Sequence, residues 1–520
     1  PFALMVGDAA DAAGLVDLCA VGRDLLASPA RPIVLAPRAD GAAVAPAVAP
    51  GMRELGVMLA YTPLHALLFD DLAQLGAAPV ALVMTSGNLS DEPIAYRDDD
   101  ALARLTAVAD AFLVHDRPIR TRTDDSVARV VAHPDGPRVM VLRRSRGYVP
   151  AALPLPVPAP RPLLAAGAEQ KNTFCVVRGA RAWMGPHIGD LEHAETHAAY
   201  HEGIAHFEGL FAVAPRAVAH DLHPEYLSTK AALERPDVDA HAVQHHHAHL
   251  VACLAEHGGD GAAVGAVFDG TGLGPDGTIW GGEILVGDAG GFERVAHLAP
   301  VPLPGGARAV REPWRMARAW LDAAIGATDD PPPALAADVT GADWLAVGAL
   351  AARPGLSTPT TSMGRLFDAA GALCGLCARA SYEGQAAVLL EAAAAPGVPD
   401  GAYAFAPAEE AGVLDPRPVV AALARDVAAG VDVGVVSARF HEAVAQATAA
   451  ACVAAAHRHG LDQVVLTGGV FQNRLLLERT AALIDAAGPA VLLPERLPPN
   501  DGGIAYGQAV VAVAREGQGA

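Results

Sequence analysis

Residues 261–288 read GAAVGAVFDGTGLGPDGTIWGGEILVGD, and this stretch decides the fold. A run of small and β-branched residues ends at Asp269, a glycine-rich segment follows, and a second apolar run returns through IWGGEILV. That order predicts a strand, a tight turn and a second strand. Further along, QVVLTGG at 463–469 reads as a strand and GGIAYGQAVVAVA at 502–514 as the closing helix. On the N-terminal side, residues 163–179 and 181–190 read as a hairpin, with a helix over 192–211 and a strand over 217–220. Two runs of the same character predict two related α/β lobes around a cleft. The chain shows no short-period repeat of the solenoid kind.

Residues 151–162, AALPLPVPAPRP, carry five prolines in twelve positions and predict a stiff extended linker. Before it, RPIVLA at 31–36, APVALVMTS at 78–86 and AFLVH at 111–115 read as strands, and DDALARLTAVAD at 99–110 as a helix. The expected organisation is a compact α/β domain at 1–150, the linker at 151–162 and a two-lobed domain at 163–520.

The 520 residues are 52% hydrophobic and 18% charged, enough to bury large cores and too apolar for a disordered chain. No run approaches the roughly 18 to 20 apolar residues of a membrane span. Pro1 opens the sequence without the charged start of a signal peptide, so the chain reads as a cytoplasmic piece whose natural start lies upstream. Six cysteines are too few for a disulfide scaffold of this size, which agrees with a reducing compartment. A net charge of −21 disfavours broad binding to a nucleic-acid backbone. Against that background, Arg117, Arg120, Arg122, Arg143, Arg144 and Arg146 cluster in the first third and predict a local anion site.

Four ligand candidates stand beside glycines in the second half. His245 and His249 of QHHHAH are spaced i, i+4, so both imidazoles lie on one helix face and reach the same cation. Asp269 in VFDGTG and Asp501 in PPNDGG each precede glycine, which places the carboxylate at a strand end or turn where backbone approaches a phosphate closely. Mixed His and Asp ligation suits Fe(II), Zn(II) or Mn(II) without choosing among them. His246 and His247 point to other faces, and the Glu of a metalloprotease HExxH is missing.

Glycine turns supply the second signal. DGTG at 269–272 is expected to be a tight turn whose N–H groups cradle phosphate, or else an ordinary hairpin turn. TGGVFQN at 467–473 sits between a strand and a helix N-terminus, and WGGE at 280–283 and SYEGQAA at 381–387 add glycine-flanked carboxylates. In the first domain, MTSGNLSDEP at 84–93 offers hydroxyl and amide groups to a phosphate or nucleoside, or forms a polar turn with helix caps. RTRTDDSVARVV and VLRRSRGYVP bring guanidinium groups near it if the sheet folds back. Cys374 and Cys377 form a lone CxxC, which reads as helix-end packing.

In order along the chain, TSGNLSDEP, RTRTDDSV, LRRSRGYVP, KNTFC, QHHHAH, FDGTGLG, WGGE, SYEG, TGGVFQN and NDGG closely resemble the HypF carbamoyltransferases of nickel-iron hydrogenase maturation. The resemblance implies a YrdC-like α/β domain at 1–150, N-terminally incomplete, followed by a TsaD-like domain of the two-lobed actin/hexokinase/Hsp70 type. It implies that carbamate and ATP, with Mg, give carbamoyl-adenylate and pyrophosphate in the first domain. The second domain would then pass the carbamoyl group to the C-terminal cysteine of the partner HypE. Carried over by motif, His245, His249, Asp269 and Asp501 would hold a divalent metal, Fe or Zn. Lys171 is the implied catalytic position and would line the adenylate pocket with Gly270, Thr271, Gly282, Glu283, Gly468, Gly469 and Asn473. Thr85, Ser86, Asn88, Arg120, Ser126, Arg143 and Arg146 would contact ATP or carbamate. The family's acylphosphatase and zinc-finger regions have no counterpart in this sequence, so hydrolysis of carbamoyl phosphate is not expected of it.

Three other readings compete. An antibiotic O-carbamoyltransferase has the opposite domain order, and a threonylcarbamoyl transferase acting on tRNA sits poorly with the acidity. A nucleotide-gated binding or chaperone module shares the lobed fold, but the His and Asp ligand set favours catalysis.

Overall fold

The computed structural model describes every residue except 1, 78–79, 90–91, 260, 407–411 and 519–520. The start of the expected strand at 78–86 and the centre of the TSGNLSDEP loop therefore lie outside the described residues. The chain divides into two compact units, one of residues 1–131, 137–243 and 494–520, the other of 132–136 and 244–493.

The first unit holds two sheets. One has six strands in the order Ala81–Met84, Ala3–Val6, Glu54–Leu59, Ile33–Pro37, Val127–Val131, Arg138–Arg143, with parallel and antiparallel pairs mixed. Leu4, Val6, Leu55, Val57 and Val34 form its core with Leu25 and Leu26 of the helix Ala20–Ala27. Residues 111–115, AFLVH, form no strand, and Leu113 and Val114 are exposed. A short apolar run without a pairing partner has nothing to satisfy its backbone, so its composition alone does not make it a strand.

The other sheet has the order Asp239–Val243, Ala217–Asp221, Leu163–Ala165, Cys175–Arg178, Arg181–Met184, Leu153–Pro154. Part of the proline-rich segment is thus a strand at the sheet edge, the position where Pro costs no ladder bond. Phe174, Tyr200, Ile204 and Phe207 pack the helix Ala194–Phe211 onto this sheet. The closing helix Ile504–Gln518 also belongs to this unit. Gln508 clasps Gly167 twice, accepting from its N–H at 2.9 Å and donating to its carbonyl at 3.1 Å. Thr173 Oγ1 donates to the Gly502 carbonyl at 3.0 Å.

The second unit is built on a sheet of eight strands among the described residues. Its central strand Ala263–Leu273 is antiparallel to Ile279–Asp288, which is antiparallel to Gly291–Leu298, while on the other side Gln463–Thr467 and Ala490–Leu492 run parallel to it. Three antiparallel strands followed by two parallel ones repeat the plan of Leu163–Ala165 and its neighbours, as expected for related lobes. DGTG is not a turn. Strand Ala263–Leu273 runs through it with a register shift between Phe268 and Gly272, and the turn comes later, with Gly277 N–H donating to the Gly274 carbonyl. Pro275, Asp276 and Gly277 supply the turn chemistry there. No helix among the described residues is long and apolar enough to cross a membrane.

Candidate functional site

The helix His245–Glu256 begins where Gln244 caps it, its side-chain oxygen accepting from His247 N–H at 2.8 Å. The cap fixes the first turn, and the i, i+4 spacing sends His245 and His249 to one side. There the bulge in strand Ala263–Leu273 presents Asp269. His245 Nε2 lies 3.1 Å from Asp269 Oδ2 and His249 Nε2 lies 3.7 Å from the same oxygen, with all three side chains buried. Gly272 makes this approach possible, because a Cβ there would sit 2.4 Å from His246 Cε1 and 2.9 Å from His245 Cδ2.

Burial alone would raise the Asp269 carboxyl, but the two imidazoles, by hydrogen bond and charge, hold it well below its ordinary value. A buried anion between two imidazoles suits a borderline divalent cation, and each of the three residues offers a donor atom within 4.8 Å of the others. His246 and His247 face elsewhere: His246 Nδ1 meets the Gln244 amide at 3.0 Å, and His247 Nε2 donates to the Asp288 carbonyl at 2.6 Å. Asp501 lies in the first unit, buried in the one-turn segment Asp501–Gly503 that leads into the closing helix.

Around the bulge, the second unit brings glycine backbone close. Gly468 takes φ +96°, and a Cβ on it would fall 2.2 Å from the Phe268 carbonyl oxygen. Gly469 opens the short turn Gly469–Gln472, and Asn473 caps the helix Arg474–Asp485 by accepting from Leu476 N–H at 3.0 Å. The Asn473 amide also donates to His441 Nε2 at 2.9 Å. Gly270 and Thr271 lie within the bulged strand. Gly282 is wedged against the Thr361 carbonyl, and Glu283 is fully buried. Its carboxylate accepts from Arg294 Nε at 2.6 Å, from Thr361 Oγ1, and from the N–H groups of Gly281 and Gly282 at 3.1 and 3.3 Å. Glu283 therefore shapes the glycine pair through its own unit's donors.

Sequence reasoning missed the helix Met363–Leu373, whose entry sits on the bulge. Ser362 Oγ lies 2.7 Å and 2.9 Å from the carbonyls of Asp269 and Gly270. Buried Arg365 pairs with Asp368 at 2.6 Å, and a Cβ on Gly270 would be 2.8 Å from its guanidinium. Burial raises the Asp368 carboxyl, with Arg365 opposing. The signal available in the sequence was the Ser-x-x-Arg start of an apolar helical run, which resembles any other helix cap.

In the first unit, Ser86, Asn88, Arg120 and Arg143 line one cavity of about 580 Å³. Ser86 Oγ donates to Asn88 Oδ1 at 2.6 Å, and Arg143 pairs with Asp124 at 2.7 Å. The opposite wall comes from residues that sequence reading passed over, among them His187, Asp190, His193 and His206. Burial, with the Arg143 and Lys171 charges, pushes His187 down to about 3, so it is a neutral imidazole. Lys171 takes φ +45° and its N–H donates to Asp190 Oδ1 at 2.8 Å. The structure does not gather Thr85, Ser126 and Arg146 into this cavity wall. Ser126 Oγ donates to the Arg146 carbonyl, and Arg146 pairs with Asp125 at 2.7 Å and stacks over Tyr61 at 3.5 Å.

Three protein families match consecutive parts of the chain. Residues 1–145 match the family described as Telomere recombination (Sua5/YciO/YrdC), 158–256 the HypF Kae1-like domain, and 265–508 the second subdomain of the carbamoyltransferase Kae1-like domain. The carbamoyltransferase HypF2 of Cupriavidus necator is 43% identical over 99% of this chain and 67% of its own length. The carbamoyltransferase HypF of Rhodobacter capsulatus is 44% identical with the same coverage. The chain thus spans about two thirds of these relatives' length. A crystal structure of full-length HypF in a phosphate- and nucleotide-bound form superposes with a TM-score of 0.91 at 37% identity, covering 99% of this chain and 79% of that one. The HypF of T. kodakarensis gives 0.90 at 30% identity, covering 99% and 68%. With relatives this similar across nearly all of its residues, the chain belongs to the HypF family of carbamoyltransferases that serve hydrogenase maturation.

Proposed function

We propose that this chain makes carbamoyl-adenylate from carbamate and ATP and transfers the carbamoyl group to the C-terminal cysteine of HypE. The pairing of Asp269 with His245 and His249 carries this reading, because a buried carboxylate held ionised between two imidazoles is built to grip a cation. The cavity lined by Ser86, Asn88, Arg120 and Arg143 is the proposed adenylation site. Thr85, Ser126 and Arg146 are assigned to the rim or support of that site.

In the first half-reaction a carbamate oxygen attacks the α-phosphorus of ATP, supplied with Mg. An O–P bond forms and pyrophosphate departs with the electron pair of the broken P–O bond. Arg120 and Arg143 oppose the charge that accumulates on the phosphates, and the neutral His187 offers a hydrogen bond without adding charge. In the second half-reaction the partner's thiolate attacks the carbamoyl carbon, the C–S bond forms, and AMP leaves as the C–O bond breaks. No general base is needed, since a cysteine thiol is already a few per cent thiolate near pH 7. In the second unit, Gly270, Thr271, Gly282, Gly468 and Gly469 offer backbone to the adenylate, Glu283 fixes Gly281 and Gly282 through their N–H groups, and Asn473 caps the helix that follows Gly469. In the first unit, Lys171 is the proposed catalytic cation. An Fe or Zn ion held by His245, His249 and Asp269 would act as a Lewis acid toward the phosphate or the carbonyl.

The test is ATP–pyrophosphate exchange with carbamate, followed by addition of HypE and mass detection of its C-terminal thiocarbamate. Transfer that His249→Ala abolishes supports the reading. If preformed carbamoyl-adenylate yields no thiocarbamate, the transferase assignment fails and a nucleotide-gated binding module replaces it.

A further inference from the structure

We propose that His197 and His201 form a second, solvent-facing site for a borderline divalent transition-metal ion of the Zn(II) or Ni(II) kind. Both residues lie on the helix Ala194–Phe211, spaced i, i+4, on a face that does not line the cavity of the first unit. Their Nε2 atoms are 3.3 Å apart, and the rings stand nearly perpendicular with centroids 4.6 Å apart. Two imidazole nitrogens each about 2.0–2.1 Å from a tetrahedral ion are separated by about 3.3 Å, so these rotamers already suit chelation. Without an ion, one ring N–H donates to the lone pair of the other, and binding replaces that single bond with two coordinate bonds.

The surroundings hold the pair ready. Tyr200 packs against both rings, stacked on His197 and edge-on to His201. Partial burial, with the charges of His197 and Arg235, lowers the His201 value while Glu234 raises it. Arg235 is tied to Glu208, so its guanidinium has an anionic partner of its own. This pair lies in a different unit from His245, His249 and Asp269, and its donor set is open to water where theirs is buried.

The experiment is a Zn(II) titration against a chromophoric chelator, using the full chain as purified, with its metal content measured beforehand, together with His197→Ala, His201→Ala and His201→Gln. The wild-type protein should take up one more micromolar-class equivalent than each variant, with affinity at that site falling at least about tenfold when one chelating arm is lost. Cu(II) electron paramagnetic resonance should show two coupled imidazole nitrogens in the wild type and one in each variant. Carbamoyl transfer should be unchanged in all three, which separates this site from the proposed transferase centre. Equal stoichiometry and affinity in wild type and variants, or a single coupled nitrogen in the wild type, would overturn the assignment.

Discussion

Asp269 lies between His245 and His249, 3.1 Å from one Nε2 and 3.7 Å from the other, on a strand that bulges to deliver it. The three side chains come from two elements whose approach depends on Gly272, so metal affinity and local packing are separable by mutation. Asp269→Asn removes the charge and keeps the shape. It should lower metal affinity by at least about 10- to 100-fold, the scale already reached when a ligand loses a supporting hydrogen bond. His247→Ala should leave metal content unchanged, because His247 is occupied with the Asp288 carbonyl. Chelator competition checks both, and an Asp269→Asn protein that keeps its metal would remove Asp269 from the ligand set.

The glycines divide by what a side chain would meet. At Gly468, alanine has to adopt φ +96° and put its Cβ 2.2 Å from the Phe268 carbonyl oxygen. Gly468→Ala should cost about 2–4 kcal/mol of stability through backbone strain and overpacking. Gly430 has φ +75° with nothing within 4 Å of the added carbon, so Gly430→Ala should cost about 1 kcal/mol. Urea unfolding of both variants tests the ranking, and equal losses would mean that the approach to Phe268 is relaxed in solution.

The grouping of His245 and His249 with Asp269 was easier to read in the sequence than the topology around them. Helix periodicity alone put His245 and His249 on one face and turned His246 and His247 away. DGTG was misread because a glycine-rich interruption looks the same whether it ends a strand or bulges it, and the pairing partner that decides sits at residues 279–288. The far wall of the first-unit cavity was invisible for a related reason. His187, Asp190 and His206 lie more than forty residues from Arg143 in sequence, and only tertiary folding brings them to it. Arg365 escaped notice because a lone Arg after a helix cap carries no local mark of burial.

Arg143 should separate the two half-reactions. Its guanidinium faces the cavity from beside Asp124. Arg143→Ala should slow ATP–pyrophosphate exchange by about 10²- to 10³-fold, the usual cost of losing one donor to developing charge. Transfer from supplied carbamoyl-adenylate should be nearly unaffected. If both activities fall together, the arginine supports the fold and not the adenylation step.

His441 should give the second unit a pH-dependent stability. Its Nδ1–H donates to the Ser437 carbonyl at 2.8 Å and its Nε2 accepts from the Asn473 amide, an arrangement that needs the neutral ring. Burial pushes the imidazole down to about 4, only partly opposed by the Ser437 hydrogen bond. Above the unfolded value near 6.5 both states are neutral, and the residue contributes no pH dependence. As pH falls below about 6.5 the unfolded chain takes up the proton first, so stability drops, and the loss levels off once the folded ring protonates near pH 4. At pH 5 the loss should be roughly 2 kcal/mol, from about 1.5 pH units at 1.36 kcal/mol each. Carboxylates held low by arginines, such as Glu442 beside Arg479, add their own acid sensitivity. The quantity to compare is therefore the urea midpoint of the wild type against His441→Gln between pH 7 and pH 5. Glutamine keeps a polar side chain beside Asn473 without a titrating ring, so the difference between the two proteins should shrink or reverse at the lower pH. A constant difference across that range would mean that His441 does not titrate between the folded and unfolded states as its burial requires.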